Sequence, residues 1–474
     1  QPGHGVTRLR VTCIDFGRAI GFGFWMSIGT IQQCHHRNTS RILEHLMGAP
    51  GIAVEEREYQ TTSTHISPTV PLFIGRFGHD GTNWLAATSP CLFVDNELEL
   101  RRLFPNSIQA TVVIDGDRVS VDGTIVEAGA LAISHYFANG GGPCRLRPIQ
   151  VAGDTGYDTA IDELKEATLL ACVLDAATNL KNIHSIAAEY LAAQPGRFYI
   201  CNMKDKDTAP ALPDGHGAHT ALYHPYLTLH CRHWRSDDAI TVSGHADTDV
   251  STLADLKIVD RALYAVADRE LRALQEQYAY IQMPPSAAVA AAYCKTDRER
   301  GVWKAPANIV INNATPYERV TDAQQADLND KGINAIRIID GQTTIWGART
   351  CEVTDRQWRY INVRRLFNQV QRDVGDIMQR YQGEPNTSAT WVRAETTIAN
   401  YLYHLWQLGA LLGQRPQEAY QVTVGLEETA GTVNGDSDDN DDGDDSEAKM
   451  IASICLAPSK PAEFIALQVG QGLQ

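Results

Sequence analysis

Between residues 72 and 290, short apolar runs alternate with stretches of helical periodicity, and this rhythm constrains the fold more than any other property of the chain. Leu72-Phe73-Ile74 reads as a buried strand. Pro68 and Pro71 exclude a central sheet position for Thr69 to Pro71 and leave an edge or linker strand. Residues 111–124 carry strand signals around an Asp115-Gly116 turn. Ile125 to Ala138 is apolar-periodic and stops at Asn139-Gly140-Gly141-Gly142. Leu146 to Ile149 reads as a strand, Ala160 to Cys172 and Leu180 to Ala193 as helices, and Phe198 to Cys201 as the next strand. A loop over 203–219, strands or a small insertion over 226–250, a helix from Val259 to Gln275 and a strand from Tyr278 to Ile281 follow. The expectation is an open α/β domain over 72–290.

Beyond Pro284-Pro285-Ser286 the small residues from Ala287 to Ala292 favour a close-packed helix, and Asp322 to Leu328 a short one. Asn334 to Ile339 and Thr343 to Trp346 form a hairpin over Asp340-Gly341. Leu366 to Tyr381 and Trp391 to Leu412 read as helices, and Ala419 to Val424, Ile451 to Leu456 and Glu463 to Val469 as strands. Residues 1–46 differ: they are rich in His, Cys and Arg and show no sustained period. Met47 is the expected natural start, with an upstream extension before it; a real N-terminal arm is the alternative. Ile52 to Tyr59 reads as an extended strand.

A chain of 474 residues is too long for one hydrophobic core and implies two to four domains. Its net charge is −16, but eight carboxylates lie between Asp436 and Glu447, and without them the charge is −8. A general nucleic-acid surface needs a local excess of Lys and Arg and is not expected. The 10 cysteines form neither CxxC nor CxxH, so reduced thiols are expected rather than a disulfide scaffold or a zinc knuckle. No run of eighteen apolar residues suggests a membrane span.

Motifs with chemistry are few. Gly48-Ala49-Pro50-Gly51 and Gly140-Gly141-Gly142 do not continue into a phosphate loop. His216, His219, His224, His230 and His233 are scattered by Pro225 and strand signals, which favours surface or interface histidines over a metal site. No GxSxG elbow marks a triad. Asp436, Asp438, Asn440 and Asp442 have the alternate spacing of a calcium loop, but Asp441 stands where the turn glycine is required. A solvated loop over 434–447 is the expectation. Arg356, Arg359, Arg364, Arg365 and Arg372 form the one local basic concentration, suited to directional pairing with carboxylates between subunits or within the chain.

Arg300-Gly301-Val302-Trp303-Lys304-Ala305-Pro306-Ala307-Asn308, Trp346-Gly347-Ala348-Arg349-Thr350 and Tyr360-Ile361-Asn362-Val363-Arg364-Arg365-Leu366-Phe367 offer neither a nucleophile–base pair nor metal-ligand spacing. Trp and Arg are enriched at interface hot spots, so these segments suggest an assembly subunit rather than an enzyme. With Pro284-Pro285-Ser286, Leu328 to Asn334, Glu384-Pro385-Asn386 and Pro461-Ala462-Glu463-Phe464-Ile465, their order and spacing resemble the contractile tail sheath family. That family serves contractile-tailed phages, R-type pyocins and extracellular contractile injection systems. Weaker matches are Pro50 to Glu56, Val70 to Gly75, Phe137 to Gly141 and Tyr223 to Tyr226. The resemblance covers about 47–474 and is firm from 284 onward.

It implies a multidomain α/β (α+β mixed) fold: a conserved inner domain built from both chain ends and facing a tube, and a more variable outer α/β domain. The implied segments are an N-terminal arm and linker over 47–71, the outer domain over 72–290, and a C-terminal sheath domain over 291–474 with a C-terminal arm over 461–474. Arms at about 50–60 and 461–470 would add strands to neighbouring subunits. The assembly candidates are Val54, Glu55, Glu56, Trp303, Lys304, Arg349, Arg364, Arg365, Pro461, Ala462, Glu463, Phe464 and Ile465. At least one of Arg364 and Arg365 is expected to be free to face the tube or a neighbour. No cofactor and no catalytic residue are implied. The implied partners are further copies of the chain in stacked rings or a helical filament, an inner tube protein, and baseplate and terminal cap proteins. Assembly would take place in the bacterial cytoplasm, before the product joins a virion tail or a released injection particle. An accessory or terminal sheath protein is the alternative, and an α/β metabolic enzyme a more distant one.

Overall fold

The computed structural model describes residues 7–12, 69–75, 77, 91–125, 128–148, 167–173, 187, 191, 196–204, 217–426 and 450–463. At its centre stands a nine-stranded sheet. In spatial order its strands are Ile309–Val310, Gln342–Ile345, Ile333–Ile339, Thr220–His224, Phe198–Asn202, Leu169–Cys172, Pro71–Gly75, Cys144–Pro148 and Leu92–Val94. The six inner strands run parallel, and each flanking strand pairs antiparallel with its neighbour. Parallel strands covered on both faces lose the polar–apolar alternation, and here Pro71–Gly75, Leu169–Cys172, Phe198–Asn202 and Thr220–His224 are buried at every position.

That double burial explains two departures from the sequence reading. Leu169–Cys172 closes a segment expected to be helical, yet it is a strand, because a short apolar run has the same pattern in a buried strand and a buried helix. Pro71 opens a central strand rather than an edge one; as the first residue it forfeits only one ladder donor. The helix expected over Leu180–Ala193 falls mostly outside the described residues, as does the strand over Ile52–Tyr59.

One face of the sheet carries Phe73, Leu146, Ala171, Phe198, Ile200, Tyr223 and Ile336, packed against helices Ala128–Ala138 and Ser286–Arg300. The first nine residues of Ser286–Arg300 are all buried, and its alanines let the backbone lie close to the strands. Gly301, at φ 88°, ends the helix in a conformation that costs an L-residue energy. The opposite face packs Leu72, Ile74, Leu170, Tyr199 and Leu222 against Ala187, Leu191, Val320 and Leu328. Asp340 and Gly341, both at positive φ, close the expected hairpin between Ile333–Ile339 and Gln342–Ile345.

Two further cores flank this body. Strands Ile108–Asp115, Arg118–Ile125 and Thr241–Ser243 pack on helices Leu253–Val259 and Arg261–Gln277. Helices Ile361–Gln379 and Ser388–Gln407 pack on the hairpin Tyr420–Leu426/Met450–Leu456. The boundary expected at 290/291 is therefore displaced. It cuts helix Ser286–Arg300, and the strands from 309 to 345 complete the same central sheet as those before 290.

Thr7–Thr12 pairs antiparallel with Met450–Leu456 on the side away from Tyr420–Leu426. Part of the 1–46 segment, which showed no sustained period in the sequence, thus supplies a strand. Its Arg8-Leu9-Arg10-Val11 alternation was the available signal.

Phe73 is fully buried in a central strand, with its ring 4.9 Å from that of Tyr136 in an edge-on contact. Phe73→Ala should destabilise the chain by about 3–5 kcal/mol. The check is chemical denaturation, with a lower midpoint and an unchanged slope expected.

Candidate assembly surface

Helix Ile361–Gln379 is buried from Ile361 to Val370 on every side. Its apolar positions Val363, Leu366, Phe367, Val370 and Val374 enter the C-terminal core. Several of its polar positions reach partners in the body. Arg365 grips Asp297 through two parallel donors: Nη1 donates to Oδ1 at 2.9 Å and Nη2 to Oδ2. The side chains of the pair are only 5% and 7% exposed. Thr69 Oγ1 donates to the same carboxylate at 2.6 Å, and the guanidinium lies 4.8 Å from the Tyr293 ring centroid. Tyr293 and Tyr223 share a hydroxyl hydrogen bond of 2.8 Å. Burial works against the Arg365 charge, and Asp297 outweighs it, so its pKa lies above the ordinary value.

Arg364 donates through Nε to Asn368 Oδ1 at 2.8 Å and stacks on Trp358 at 4.2 Å. Desolvation brings its pKa down to about 10. Arg372, also lowered to about 10 by burial, donates to Gly196 O. Asn368 Nδ2 donates to Arg197 O at 2.8 Å. The expectation that one of Arg364 and Arg365 is free to face a neighbour therefore fails. Both are buried, because the helix is covered on two sides and a cation there needs a carboxylate or a ring within the chain.

The other signature segments are mostly internal as well. Trp303 is half-buried against the C-terminal core, its ring folded over Gly301, where a β-carbon would lie 2.3 Å from it. Trp303 O accepts from Asn362 Nδ2 at 2.8 Å, whereas Lys304 is exposed. Gly347 leaves room for Asn334, which bonds both ways to Arg349: Nδ2 to Arg349 O at 2.7 Å and Oδ1 from Arg349 N at 2.7 Å. The structure joins two of the sequence candidates to each other, since Arg349 Nε donates to Glu463 Oε1 at 2.6 Å. Tyr360, which opens the third signature segment but was not among the assembly candidates, donates to Glu463 Oε2 at 3.1 Å. Pro461 is half-buried and Ala462 exposed. Val54, Glu55, Glu56, Phe464, Ile465 and the acidic stretch 434–447 lie outside the described residues.

The histidines disperse. His219, His224 and His233 each place a ring nitrogen on a backbone carbonyl, and His230 stacks on Tyr280. His224 is buried within the chain, whereas the group was expected at the surface or an interface.

Residues 353–471 match the family model described as the phage tail sheath C-terminal domain. A chain of the anti-feeding prophage baseplate is 31% identical over 90% of this chain and 100% of that one, with a TM-score of 0.63. The chain belongs to the contractile tail sheath family. The helical sheath of the same prophage in its contracted state is 32% identical over 90% of this chain and 100% of that one (TM-score 0.60). The sheath complex of an extracellular contractile injection system, PVC, also contracted, is 27% identical over 90% and 99% (TM-score 0.57). No functionally curated protein matches. These likenesses support a contractile-sheath-like structural role in a virion or an extracellular injection system, on a mixed α/β fold with several sheets.

Arg365→Glu should set two carboxylates against each other and cost the isolated chain about 3–5 kcal/mol. The double change Asp297→Leu with Arg365→Met should recover most of that loss. Thermal unfolding of the purified variants tests both.

Proposed function

We propose that this sheath-family chain is the repeating subunit of a contractile sheath that surrounds an inner tube and shortens to drive it through a target envelope. The observation that carries the reading is the 32% identity to the contracted helical sheath across 90% of the chain. The core formed by 361–456 would face the tube, and the lobe of 108–125 and 240–277 would point outward. Extended arms would join neighbours by strand addition, whose main-chain hydrogen bonds persist while rigid bodies reorient. The pairing of Thr7–Thr12 with Met450–Leu456 supports this, because that sheet takes an extended segment distant in sequence. A heterologous contact that does not close builds a helical filament or stacked rings.

Contraction would release a packing difference of about a few kcal/mol per copy, summed along the assembly, with no catalysis by the sheath chain. Baseplate and terminal cap proteins would be its other partners, and assembly would precede release from the producing cell. A second reading, an accessory sheath protein at the baseplate, is favoured by the likeness to the baseplate chain.

Imaging of labelled particles decides between the two. The main-subunit reading expects density along the whole trunk; a single terminal ring makes the chain an accessory protein. Deleting 461–474 should leave the remaining chain folded and abolish ordered sheath, and regular tubes from the truncation would refute the role given to the arm. Replacing 436–447 with a Gly/Ser linker should preserve assembly; its loss would assign the acidic stretch a structural role.

A further inference from the structure

After the last described strand, the chain is tied down at successive points. Leu412 N–H donates to Ala457 O at 2.8 Å, and Ser459 N–H to Ala410 O at 3.1 Å. Asn362 Nδ2 donates to Ser459 O at 3.1 Å. The next tie is Glu463, each of whose carboxylate oxygens has its own donor, Arg349 Nε and Tyr360 OH. The Glu463 backbone is exposed, but its side chain turns inward, leaving 22% of it accessible and 12% of that of Arg349.

The two holders are themselves fixed. Arg349 and Tyr360 form an antiparallel backbone bridge, and Ile361 N–H donates to Ala348 O at 3.0 Å. Arg349 Nη1 donates to Asn329 O at 2.8 Å. An isolated surface ion pair contributes little, because two mobile side chains must be ordered to make it. Here Arg349 and Tyr360 are already held by other bonds, and the carboxylate takes donors from both.

We propose that Arg349, Tyr360 and Glu463 form a clasp that positions the C-terminal arm, setting where residues 464–474 leave the body towards a second copy of this chain. The proposal rests on the reading of 461–474 as an assembly arm. Opening the clasp moves the last anchor among the described residues back to Ser459 and adds about 13 Å of slack, at roughly 3.3 Å per extended residue. Slack lowers the effective concentration of the arm at its docking edge and raises the ordering cost of binding. The clasp therefore acts on assembly and not on the stability of the subunit.

The test supplies the full chain from a titratable promoter to cells making the complete particle. Ordered sheaths are counted by electron microscopy, and purified subunits are melted in parallel. Glu463→Ala should lower the yield of ordered sheath about tenfold, equivalent to about 1.4 kcal/mol. Tyr360→Phe, which removes one hydroxyl, should give a smaller loss. Melting midpoints should stay within about 0.5 °C of the parent, because in a chain this long 1 kcal/mol shifts the midpoint by only about 1–2 °C. Raising the chain level about tenfold should rescue Glu463→Ala and leave a 464–474 deletion without sheath. Wild-type yield from Glu463→Ala, a lowered midpoint that accounts for its loss, or failure of the rescue each overturns the clasp. Normal sheath from the deletion overturns the arm itself, a different result from any of these.

Discussion

Three distant parts of the chain meet at one buried charge pair. Asp297 lies on the helix that backs the central sheet, Arg365 on the helix that organises the C-terminal core, and Thr69 on the segment leading into the first strand of the body. A buried ion pair is weak evidence for net stability, because desolvating both ions offsets much of their attraction. Its consequence is geometric. A shift that parted the ions while keeping them out of water would leave an uncompensated buried charge, so the two helices are held in one register. The neighbouring contacts share this logic: Arg372 to Gly196 O, Asn368 to Arg197 O, and Arg364 over Trp358 all bind polar groups of one helix to fixed partners.

Such a helix couples two cores rather than separating them. Its apolar side is shared with Ser388–Gln407 and the hairpin Tyr420–Leu426/Met450–Leu456, and its polar side is sealed against the body. On the side of Ser388–Gln407, Tyr401 donates to Asp373 Oδ2 at 2.6 Å. A packed interface with discrete hydrogen-bond partners does not deform gradually, which would suit the contractile role proposed above.

How far the sequence could be read followed from the physics of each element. The hairpin at Asp340-Gly341 was legible because a two-residue turn at positive φ has a narrow chemistry. The stop after Ala138 was legible for a similar reason: Gly140 sits at φ 90°. Helices Arg261–Gln277 and Ser388–Gln407 showed their period because each keeps one face in water. Leu169–Cys172 was misread because burial on both faces erases the period. The Arg364-Arg365 pair was misread because a cation's burial depends on its partner, and Asp297 lies 68 positions away. The link between Arg349 and Glu463 spans 114 positions, a distance that residue-type reasoning does not reach, although both residues stood among the candidates.

The signature segments that first suggested contact surfaces turn out to serve mainly the shape of the subunit. Gly347 admits Asn334, Gly301 admits the Trp303 ring, and Asn362 ties Trp303 to Ser459. This changes how an assembly protein of this kind is to be understood. Arms can exchange between copies only if the bodies they leave are rigid and their exits are defined, because strand addition at a neighbour's edge is specified by register and reach rather than by a rich set of side-chain contacts. In the proposed assembly the buried polar groups of the body would supply the rigidity, and the anchored path from Ala457 to Glu463 would supply the exit. On that reading, residues buried inside the subunit would act on assembly through the shape they hold.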